Sequence, residues 1–135
     1  MAHIVIMGAG LGGMPAAYEM RDKVDKKHKV TVVSDSENFQ FVPSNPWVAV
    51  KWRERAQVEM PVRKYLERKG IEFISTGVKR VHPDQNQLEL NDGKTVNYDY
   101  LVIATGPKLA FDEIEGFGPQ GHTHSVCHID HAMKS

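Results

Sequence analysis

Short apolar runs alternate with amphipathic stretches along this chain. Residues 4–7 and 30–33 are runs of apolar, mostly β-branched residues, which predict buried strands. Between them, residues 12–27 place Met14 and Ala17 on one face of a helix and charged side chains elsewhere. A strand, a helix and a second strand in this order predict a βαβ unit with a parallel sheet.

The middle of the chain is predicted to hold a loop, a helix and a strand. Residues 38–52 are rich in aromatic residues and proline, which favours a long ordered loop with a short helical stretch. A helix is predicted to begin at Val58, with Pro61 in its first turn, and to end at Gly70. Residues 71–75 form the next predicted strand.

Three short strands follow, at residues 78–81, 87–90 and 95–97, and Asn91-Asp92-Gly93-Lys94 is a hairpin turn signal. They predict an antiparallel β-meander inserted in the parallel framework. The last strand, residues 100–105, is apolar on both faces, which predicts a central position. The predicted fold class is therefore α/β, with a doubly wound, mostly parallel sheet and an inserted meander.

Composition narrows the possible partners. Lys plus Arg and Asp plus Glu both number 17 among 135 residues, so no net charge favours nucleic acid. The apolar runs are single strands, too short to span a membrane, and no signal-type segment precedes the first strand. We therefore expect a soluble chain with no signal peptide and no nucleic-acid partner. The single cysteine, Cys127, excludes an internal disulfide.

The most informative motif is the run Gly8-Ala9-Gly10-Leu11-Gly12-Gly13, between the first strand and the first helix. Gly8 allows the sharp turn, Gly10 leaves room for phosphate, and Gly13 lets the helix lie close to the strand. The first N–H groups of the helix point at the bound anion. The motif and its context predict a Rossmann-like site for a dinucleotide pyrophosphate; a glycine-rich turn without a ligand is the competing interpretation.

The end of the second strand offers a partner for a ribose. Ser34 and Asp35 stand about 20 residues after the glycines, where the ribose hydroxyls of a dinucleotide need an acceptor. An acidic residue normally fills the position of Ser34, so either its hydroxyl or the Asp35 carboxylate takes that role. Alternatively, both only cap the next turn. No Arg or Lys follows within several residues, which favours FAD or NAD over NADP.

Small residues end the last predicted strand. Ala104, Thr105 and Gly106 bring backbone near a bound cofactor, and Gly106 permits a close approach. With the glycine turn and the meander, this segment resembles the FAD-binding domain of the flavoprotein disulfide reductases. Three further segments narrow the resemblance to sulfide:quinone oxidoreductases: Phe41-Val42-Pro43-Ser44-Asn45-Pro46-Trp47, Gly106-Pro107-Lys108-Leu109 and the region around Cys127.

The resemblance implies FAD as the cofactor and assigns residues to it. It places the glycine turn at the pyrophosphate, Ser34 and Asp35 at the ribose, the Val78 backbone at the adenine and the Val42-Pro43 loop beside the flavin. The implied cofactor-binding set is Gly8, Ala9, Gly10, Gly12, Gly13, Ser34, Asp35, Val42, Pro43, Val78, Ala104, Thr105 and Gly106.

Cys127 is the candidate catalytic residue. It matches the first of the family's cysteines, which accept sulfide sulfur and pass electrons to the flavin, and its thiolate would be the nucleophile. His128 and His131 lie nearby in sequence. A buried, inert cysteine is the competing interpretation. A zinc site is a further alternative, but the cluster lacks a paired C-x-x-C motif, so we expect no metal; it comprises His122, His124, Cys127, His128 and His131.

The resemblance covers only the N-terminal part of the family's fold. Residues 1–106 correspond to an incomplete FAD-binding domain and residues 107–135 to a connecting segment that carries Cys127. Family members add a second dinucleotide domain, two further redox cysteines and a C-terminal region that docks on the membrane. The implied activity is oxidation of sulfide to polysulfide or sulfur with reduction of a membrane quinone through FAD. We expect the isolated chain to be inactive and to hold FAD weakly, and the full-length protein to be a peripheral membrane protein.

Three alternatives stay open. The flavoprotein subunits of flavocytochrome c sulfide dehydrogenase share the motifs but are exported. Type II NADH:quinone dehydrogenases share the fold but need no cysteine at Cys127. A non-catalytic dinucleotide-binding or interaction module, forming homo-oligomers through bare sheet edges, is the third. The location of Trp47 and Trp52 also stays open, because they either pack in a core or lie on the surface near a quinone channel. The charged side chains of residues 53–55 are interpreted as a solvated face.

Overall fold

A computed structural model describes all 135 residues, Met1–Ser135. The chain forms two compact units. The first unit contains Met1–Phe39 and Pro61–Gly106, and the second contains Gln40–Met60 and Pro107–Ser135. No helix is both long and apolar enough to cross a membrane.

Thirteen helices and strands follow one another along the chain. They are β1 (His3–Met7), α1 (Gly13–Lys23), β2 (Lys29–Val33), β3 (Asn38–Gln40), α2 (Asn45–Ala49), β4 (Glu59–Pro61), α3 (Arg63–Arg68), β5 (Glu72–Ile74), β6 (Val78–His82), β7 (Gln87–Leu90), β8 (Thr95–Asn97), β9 (Tyr100–Ile103) and α4 (Ile129–Ala132). Single 3₁₀ turns lie at Val42–Ser44, Arg55–Gln57, Pro83–Gln85 and Phe111–Glu113.

The first unit is built on a four-stranded parallel sheet in the order β5-β2-β1-β9. Alternate residues of the strands pack on opposite faces, as the pleat of a sheet requires. Ile6 and Val32 pack with Ala17 of α1 and Leu66 of α3 on one face. On the other face, Val5 and Val33 pack with Leu88 and Leu90 of β7. The strands are therefore buried on both faces, as their unbroken apolar runs predict.

The antiparallel meander is also present. Strands β6, β7 and β8 form a separate three-stranded sheet, and the Leu90 and Lys94 backbones close the β7–β8 hairpin by a 2.8 Å hydrogen bond. Its buried side chains, Leu88 and Leu90, belong to the core of the first unit. The predicted fold class, a parallel α/β sheet with an inserted meander, is confirmed.

Two predicted helix boundaries are wrong. Helix α1 ends at Lys23 instead of residue 27, because the Arg21 guanidinium donates to the carbonyls of Val24, Asp25 and His28 and holds the chain in a turn. Helix α3 begins at Arg63 instead of Val58. Residues predicted as its first turn instead form strand β4, which pairs with the equally unpredicted strand β3.

The predicted central position of the last strand is wrong as well. Strand β9 lies at an edge of the sheet and pairs only with β1. Leu101 packs on one face of the sheet and Val102 on the other. The apolar pattern of the strand therefore correctly indicates burial of both faces. The pattern carries no information about the strand's edges, and Tyr100 and Ile103 are 66% and 61% exposed.

The second unit has a small core. Val48 of α2, Val58, and Ile129 and Ala132 of α4 are buried together, with Ala49 packed against them. Residues 38–52 contain the predicted ordered loop with a short helix, namely α2 preceded by the 3₁₀ turn Val42–Ser44. This unit joins two segments that are far apart in sequence.

Candidate dinucleotide site and cysteine segment

The glycine turn begins where β1 ends. The Gly8 N–H donates to the carbonyl of Val33, at the end of β2, over 2.7 Å. Gly8 has a φ of +110°, and a side chain here would collide with the backbone carbonyl of Ala104. Both the conformation and the close approach therefore require glycine at this position.

The other glycines of the turn divide by what their missing side chains would meet. A Cβ on Gly13 would collide with the Gly8 carbonyl, so this glycine allows α1 to start against the end of β1. A Cβ on Gly12 would make an ordinary contact with the Ala104 methyl group at 3.7 Å. A Cβ on Gly10 would meet nothing within 4 Å. Gly10 is thus the position where absence of a side chain leaves open space, as a ligand requires.

The backbone of the turn presents donors. The N–H groups of residues 9–12 donate to no backbone carbonyl, and the first bond that closes the turn runs from the Met14 N–H to the Gly10 carbonyl, 3.0 Å away. Strand order reverses at β1, since β2 and β5 lie on one side and β9 on the other. Unbonded N–H groups at a helix start and a strand-order switch point together make a cradle for a diphosphate.

The structure separates the two residues at the end of β2. Ser34 is buried, its hydroxyl accepts the Ser36 N–H at 3.2 Å, and its backbone is bonded to Ile74 and Gly77. The Ser34 hydroxyl therefore caps this turn as an acceptor, and its role toward a ribose stays a prediction. The Asp35 carboxylate is exposed and has no hydrogen-bond partner, which leaves Asp35 as the available acceptor for a ribose.

Other candidate residues surround this edge of the first unit. The Ala104 N–H donates to the Met7 carbonyl at 2.8 Å and so extends β9 toward the turn, while Thr105 and Gly106 are exposed. Val78, at the start of β6, is half-buried. It follows Gly77, where a Cβ would lie 3.1 Å from the Asp35 Cβ. The sequence analysis did not predict that Gly77 lies against Asp35. Its only indication in the sequence is a glycine between two predicted strands.

The remaining cofactor candidates, Val42 and Pro43, belong to the second unit. They form the exposed part of the 3₁₀ turn before α2. In the same segment, Trp47 and Trp52 are 42% and 78% exposed, so the core-packing interpretation of the tryptophans is wrong. The Arg53 guanidinium lies 4.1 Å from the ring centroid of Trp47, a cation–π arrangement.

Cys127 is a free, exposed thiol just before His128, the N-cap of α4, so the interpretation as a buried cysteine is wrong. Its reactivity stays a prediction. Its N–H donates to the Ser125 hydroxyl at 3.1 Å. His128 caps α4, because its Nδ1 accepts the Asp130 N–H at 3.2 Å. The His131 ring centroid lies 5.3 Å from that of His128. No group of three or more His, Cys, Asp or Glu side chains is placed to hold a metal ion.

An ion pair beside this segment was not predicted. The Arg55 Nη1 donates to Asp130 Oδ1 at 2.6 Å, and this hydrogen bond is the main cause that lowers the pKa of the Asp130 carboxyl. Arg55 also donates to both carboxylate oxygens of Glu59. The interpretation of Arg55 as a simply solvated charge is therefore wrong, and a contact between residues 75 positions apart leaves no local signal.

Comparison with known proteins agrees with this geometry. The family model described as pyridine nucleotide-disulphide oxidoreductase matches residues 2–135. The chain belongs to the pyridine nucleotide-disulphide oxidoreductase family.

Within that family the similarity is strong to sulfide:quinone oxidoreductases. The sulfide-quinone reductase of Aquifex aeolicus (strain VF5) is 37% identical over 133 residues, which are 98% of this chain and 30% of the relative. The X-ray structure of the sulfide:quinone oxidoreductase from Aquifex aeolicus superposes with a TM-score of 0.90 at 36% identity, covering 99% of this chain and 30% of that one. The resemblance predicted from the sequence is confirmed.

Another solved structure is less similar. The NDH2 of Plasmodium falciparum, in complex with NADH, superposes with a TM-score of 0.77 at 25% identity and covers 98% of this chain and 27% of that one. The chain thus spans about 30% of the length of the relatives it matches.

Proposed function

We propose that this chain is the N-terminal, FAD-binding part of a sulfide:quinone oxidoreductase. The enzyme oxidises sulfide to polysulfide or sulfur and reduces a membrane quinone. The observation that carries the proposal is the glycine turn, whose open space at Gly10 and unbonded N–H groups suit a diphosphate. The names of the relatives supply sulfide and quinone as the substrates.

The residues of the first unit fit the adenine-nucleotide half of FAD. The backbone of residues 9–13 would hold the pyrophosphate, the Asp35 carboxylate a ribose hydroxyl, and the Val78 backbone the adenine. The backbone at residues 104–106 approaches the same edge, while Val42 and Pro43 are assigned to the flavin by the resemblance alone. When bound, FAD supplies the two-electron redox chemistry that amino-acid side chains lack.

Cys127 would act on sulfide. Its thiol is exposed and would take part in an exchange in which sulfide attacks a disulfide sulfur, one cysteine keeps a persulfide and the other leaves as a thiolate. Bound FAD would be the two-electron oxidant that restores the disulfide. Thiol–disulfide exchange also needs a second sulfur, and Cys127 is the single cysteine here, so the partner must come from outside these 135 residues. We therefore expect the isolated chain to be inactive. In this proposal residues 1–106 are the FAD-binding part and residues 107–135 are the connecting segment that carries Cys127.

The whole enzyme is proposed to work at the membrane surface, because its quinone substrate is dissolved there. The exposed Trp47 and Trp52 are consistent with a location at the interface, where amphipathic rings are favoured. Association of several copies into a homo-oligomer is part of the proposal, whereas nucleic acid has no place in it.

The test uses the complete gene product and two variants. Gly10→Ala places a methyl group in the open space of the turn without touching protein, so it should weaken FAD binding at least about tenfold, or about 1.4 kcal/mol, while the protein stays folded. Cys127→Ser should keep FAD but lose sulfide-dependent quinone reduction. Flavin absorbance, thermal unfolding and quinone reduction are measured on both variants.

Each outcome separates one part of the proposal. Full flavin content in a folded Gly10→Ala protein would contradict the dinucleotide site. Unaltered sulfide activity in Cys127→Ser would remove this cysteine from the reaction. Quinone reduction driven by NADH instead of sulfide would assign the protein to the type II NADH dehydrogenases. Bound flavin with no quinone reduction from either donor would favour a non-catalytic module.

A further inference from the structure

Arg55 makes three carboxylate contacts within the second unit. Its Nε and Nη2 donate to the two oxygens of Glu59, at 2.5 and 3.2 Å, and its Nη1 donates to Asp130 at 2.6 Å. The Glu59 side chain is nearly buried, whereas those of Arg55 and Asp130 are partly exposed. The guanidinium therefore connects the 3₁₀ turn that it begins with the first turn of α4.

The position of Arg55 is itself fixed by local structure. Glu54 and Gln57 form a reciprocal capping box around this 3₁₀ turn, with the Glu54 N–H donating to the Gln57 side chain at 2.9 Å. A second tether lies at the other end of α4, where the Lys51 ammonium donates to the Met133 carbonyl at 3.2 Å. Helix α4 is thus held at both ends by cations of the 40–60 segment.

Asp130 carries this restraint toward the cysteine. Its N–H donates to the His128 Nδ1, and its carboxylate lies 3.5 Å from the same nitrogen. His128 directly follows Cys127, and Asp130 is three residues further along. The chain of contacts therefore runs from Arg55 through Asp130 to His128, the residue that directly follows Cys127 in sequence.

We propose that Arg55 and Asp130 are positioning residues for the sulfur chemistry of Cys127. The pair fixes the imidazole of His128 and balances the charge beside the thiol. This inference rests on the proposed function, which assigns a sulfur exchange to Cys127. Arg55 and Asp130 act through their neighbours and have no contact of their own with substrate in this proposal.

The charge balance predicts effects of opposite sign. Arg55, Glu59 and Asp130 together carry a formal charge of −1. Arg55→Gln makes it −2 and disfavours the thiolate, Asp130→Asn makes it 0 and favours the thiolate, and the double variant restores −1. The other titratable side chains in or next to α4 are Lys51, His128, His131 and Lys134, and none of the four is changed by these variants.

The experiment measures the pH profile of Cys127 alkylation in the complete gene product. Iodoacetamide is used because it is uncharged, and modification of the Cys127 peptide is followed by mass spectrometry at low ionic strength. The midpoint should rise by about 0.3 to 0.6 of a pH unit in Arg55→Gln, the range that Coulomb's law gives for one unit charge at a separation of roughly 10 Å in a high dielectric. It should fall by a similar amount in Asp130→Asn and return to its original value in the double variant.

Controls distinguish charge from loss of structure. Arg55→Lys keeps the charge and should keep the midpoint. Arg63→Gln removes an arginine that binds Glu37 at 2.9 Å in the first unit, and it should leave the profile unchanged. If the pair were merely structural, both single variants would loosen α4 and shift the midpoint in the same direction. A shift in the same direction, or no shift, would overturn the inference.

This outcome is distinguishable from failure of the proposed function. The alkylation profile depends only on the thiol and its neighbours, not on FAD, sulfide or quinone. If sulfide activity survived Cys127→Ser, Cys127 would no longer be the proposed reacting cysteine. The opposite shifts of the alkylation midpoint in Arg55→Gln and Asp130→Asn could still be measured. Opposite shifts in the thiol profile, together with lower sulfide-dependent quinone reduction in Arg55→Gln, are the expected result.

Discussion

The glycine turn of the first unit and the cysteine segment of the second unit are built by different means. The turn is made of backbone, and its shape depends on side chains that are missing at Gly8 and Gly13. The cysteine segment is shaped by side chains that meet across 75 positions of sequence, Arg55 and Asp130. A site formed by the backbone is disrupted when a side chain is added where there was none. A site formed by charged side chains changes its properties gradually as single charges are removed.

The difference follows from the forces involved. The energy of steric overlap with a backbone carbonyl rises steeply with shorter distance. The carbonyls of Gly8 and Ala104 cannot move aside, because they lie at the ends of packed strands. Ion pairs between partly exposed side chains are weak and screened by solvent. We therefore expect single substitutions to have large effects in the turn and small effects around Arg55.

The largest effect is predicted for Gly8→Ala. A methyl group at this position meets the Ala104 carbonyl, and the φ of +110° is unfavourable for alanine, so unfolding should require at least about 3 kcal/mol less free energy. Urea unfolding measures the change. Gly10→Ala is the matched control in the same turn, and its stability should stay within about 0.5 kcal/mol of the original protein. Equal losses in the two variants would show that the turn is not sterically constrained as described.

A smaller effect of opposite sign is predicted in the second unit for Asn45→Leu. Asn45 is fully buried at the start of α2, and neither its Oδ1 nor its Nδ2 has a hydrogen-bond partner. Because a buried polar group without a partner costs about 1 to 3 kcal/mol, an apolar side chain of similar size should raise the free energy of unfolding by about 1 kcal/mol.

The neighbouring residue gives the matched control for this variant. Ser44 is equally buried, but its hydroxyl accepts a hydrogen bond from Arg53 at 3.1 Å. Ser44→Ala should therefore lower the free energy of unfolding by about 1 kcal/mol in the same urea experiment. Destabilisation by Asn45→Leu as well would indicate that packing, not the unsatisfied amide, dominates this part of the second unit.

The same contrast explains which features could be predicted from the sequence. The glycine turn, the buried strands and the hairpin at Asn91–Lys94 depend on residues that are close in sequence, and each was predicted correctly. Strand β3, strand β4 and the Arg55–Asp130 pair depend on partners that only the folded chain brings together. The start of α3 was misplaced because Pro61 fits a first helical turn as well as the end of an edge strand.

The site residues follow the same rule. The turn has the geometry that its glycine spacing indicates, since each glycine acts on its immediate neighbours. The difference between Ser34 and Asp35 could not be predicted from sequence, because the burial of Ser34, its bond with the Ser36 N–H and the exposure of Asp35 are properties of the folded chain. Exposure of Cys127 is likewise a property of the folded second unit.

The smallest effect is predicted for His3. It tests whether a polar contact of the first unit also changes stability only gradually when its charge changes. The His3 Nε2 lies 2.8 Å from the buried Thr31 hydroxyl, which itself donates to Glu72 at 2.7 Å. Burial, and the positive charge of Lys29 close by, lower the pKa of His3 below its ordinary 6.5. The unfolded chain therefore takes up a proton at this position before the folded chain does.

The sign of the pH dependence follows from that order. Where the unfolded state binds more protons, stability falls as the pH falls. The contribution of neutral His3 is complete above pH 6.5 and is lost progressively as the pH drops from there toward the folded-state pKa. Although burial opposes ionisation of Glu72, its hydrogen bonds with Lys29 and Thr31 outweigh burial and lower the pKa of this carboxyl below 4.5. Glu72 therefore titrates in a separate, more acidic window.

Thermal unfolding between pH 7 and about pH 5 consequently isolates the histidine from the carboxylate. His3→Gln keeps a hydrogen-bond donor for Thr31 and removes the titration, so the slope of the melting temperature against pH should become smaller in this range. An unchanged slope would mean that His3 is as easily protonated in the folded chain as in the unfolded one. A reduced but non-zero slope is the expected result, since a single partly exposed group supplies only part of the pH dependence of the melting temperature. The effect is therefore small beside the loss of stability that steric overlap should cause in Gly8→Ala.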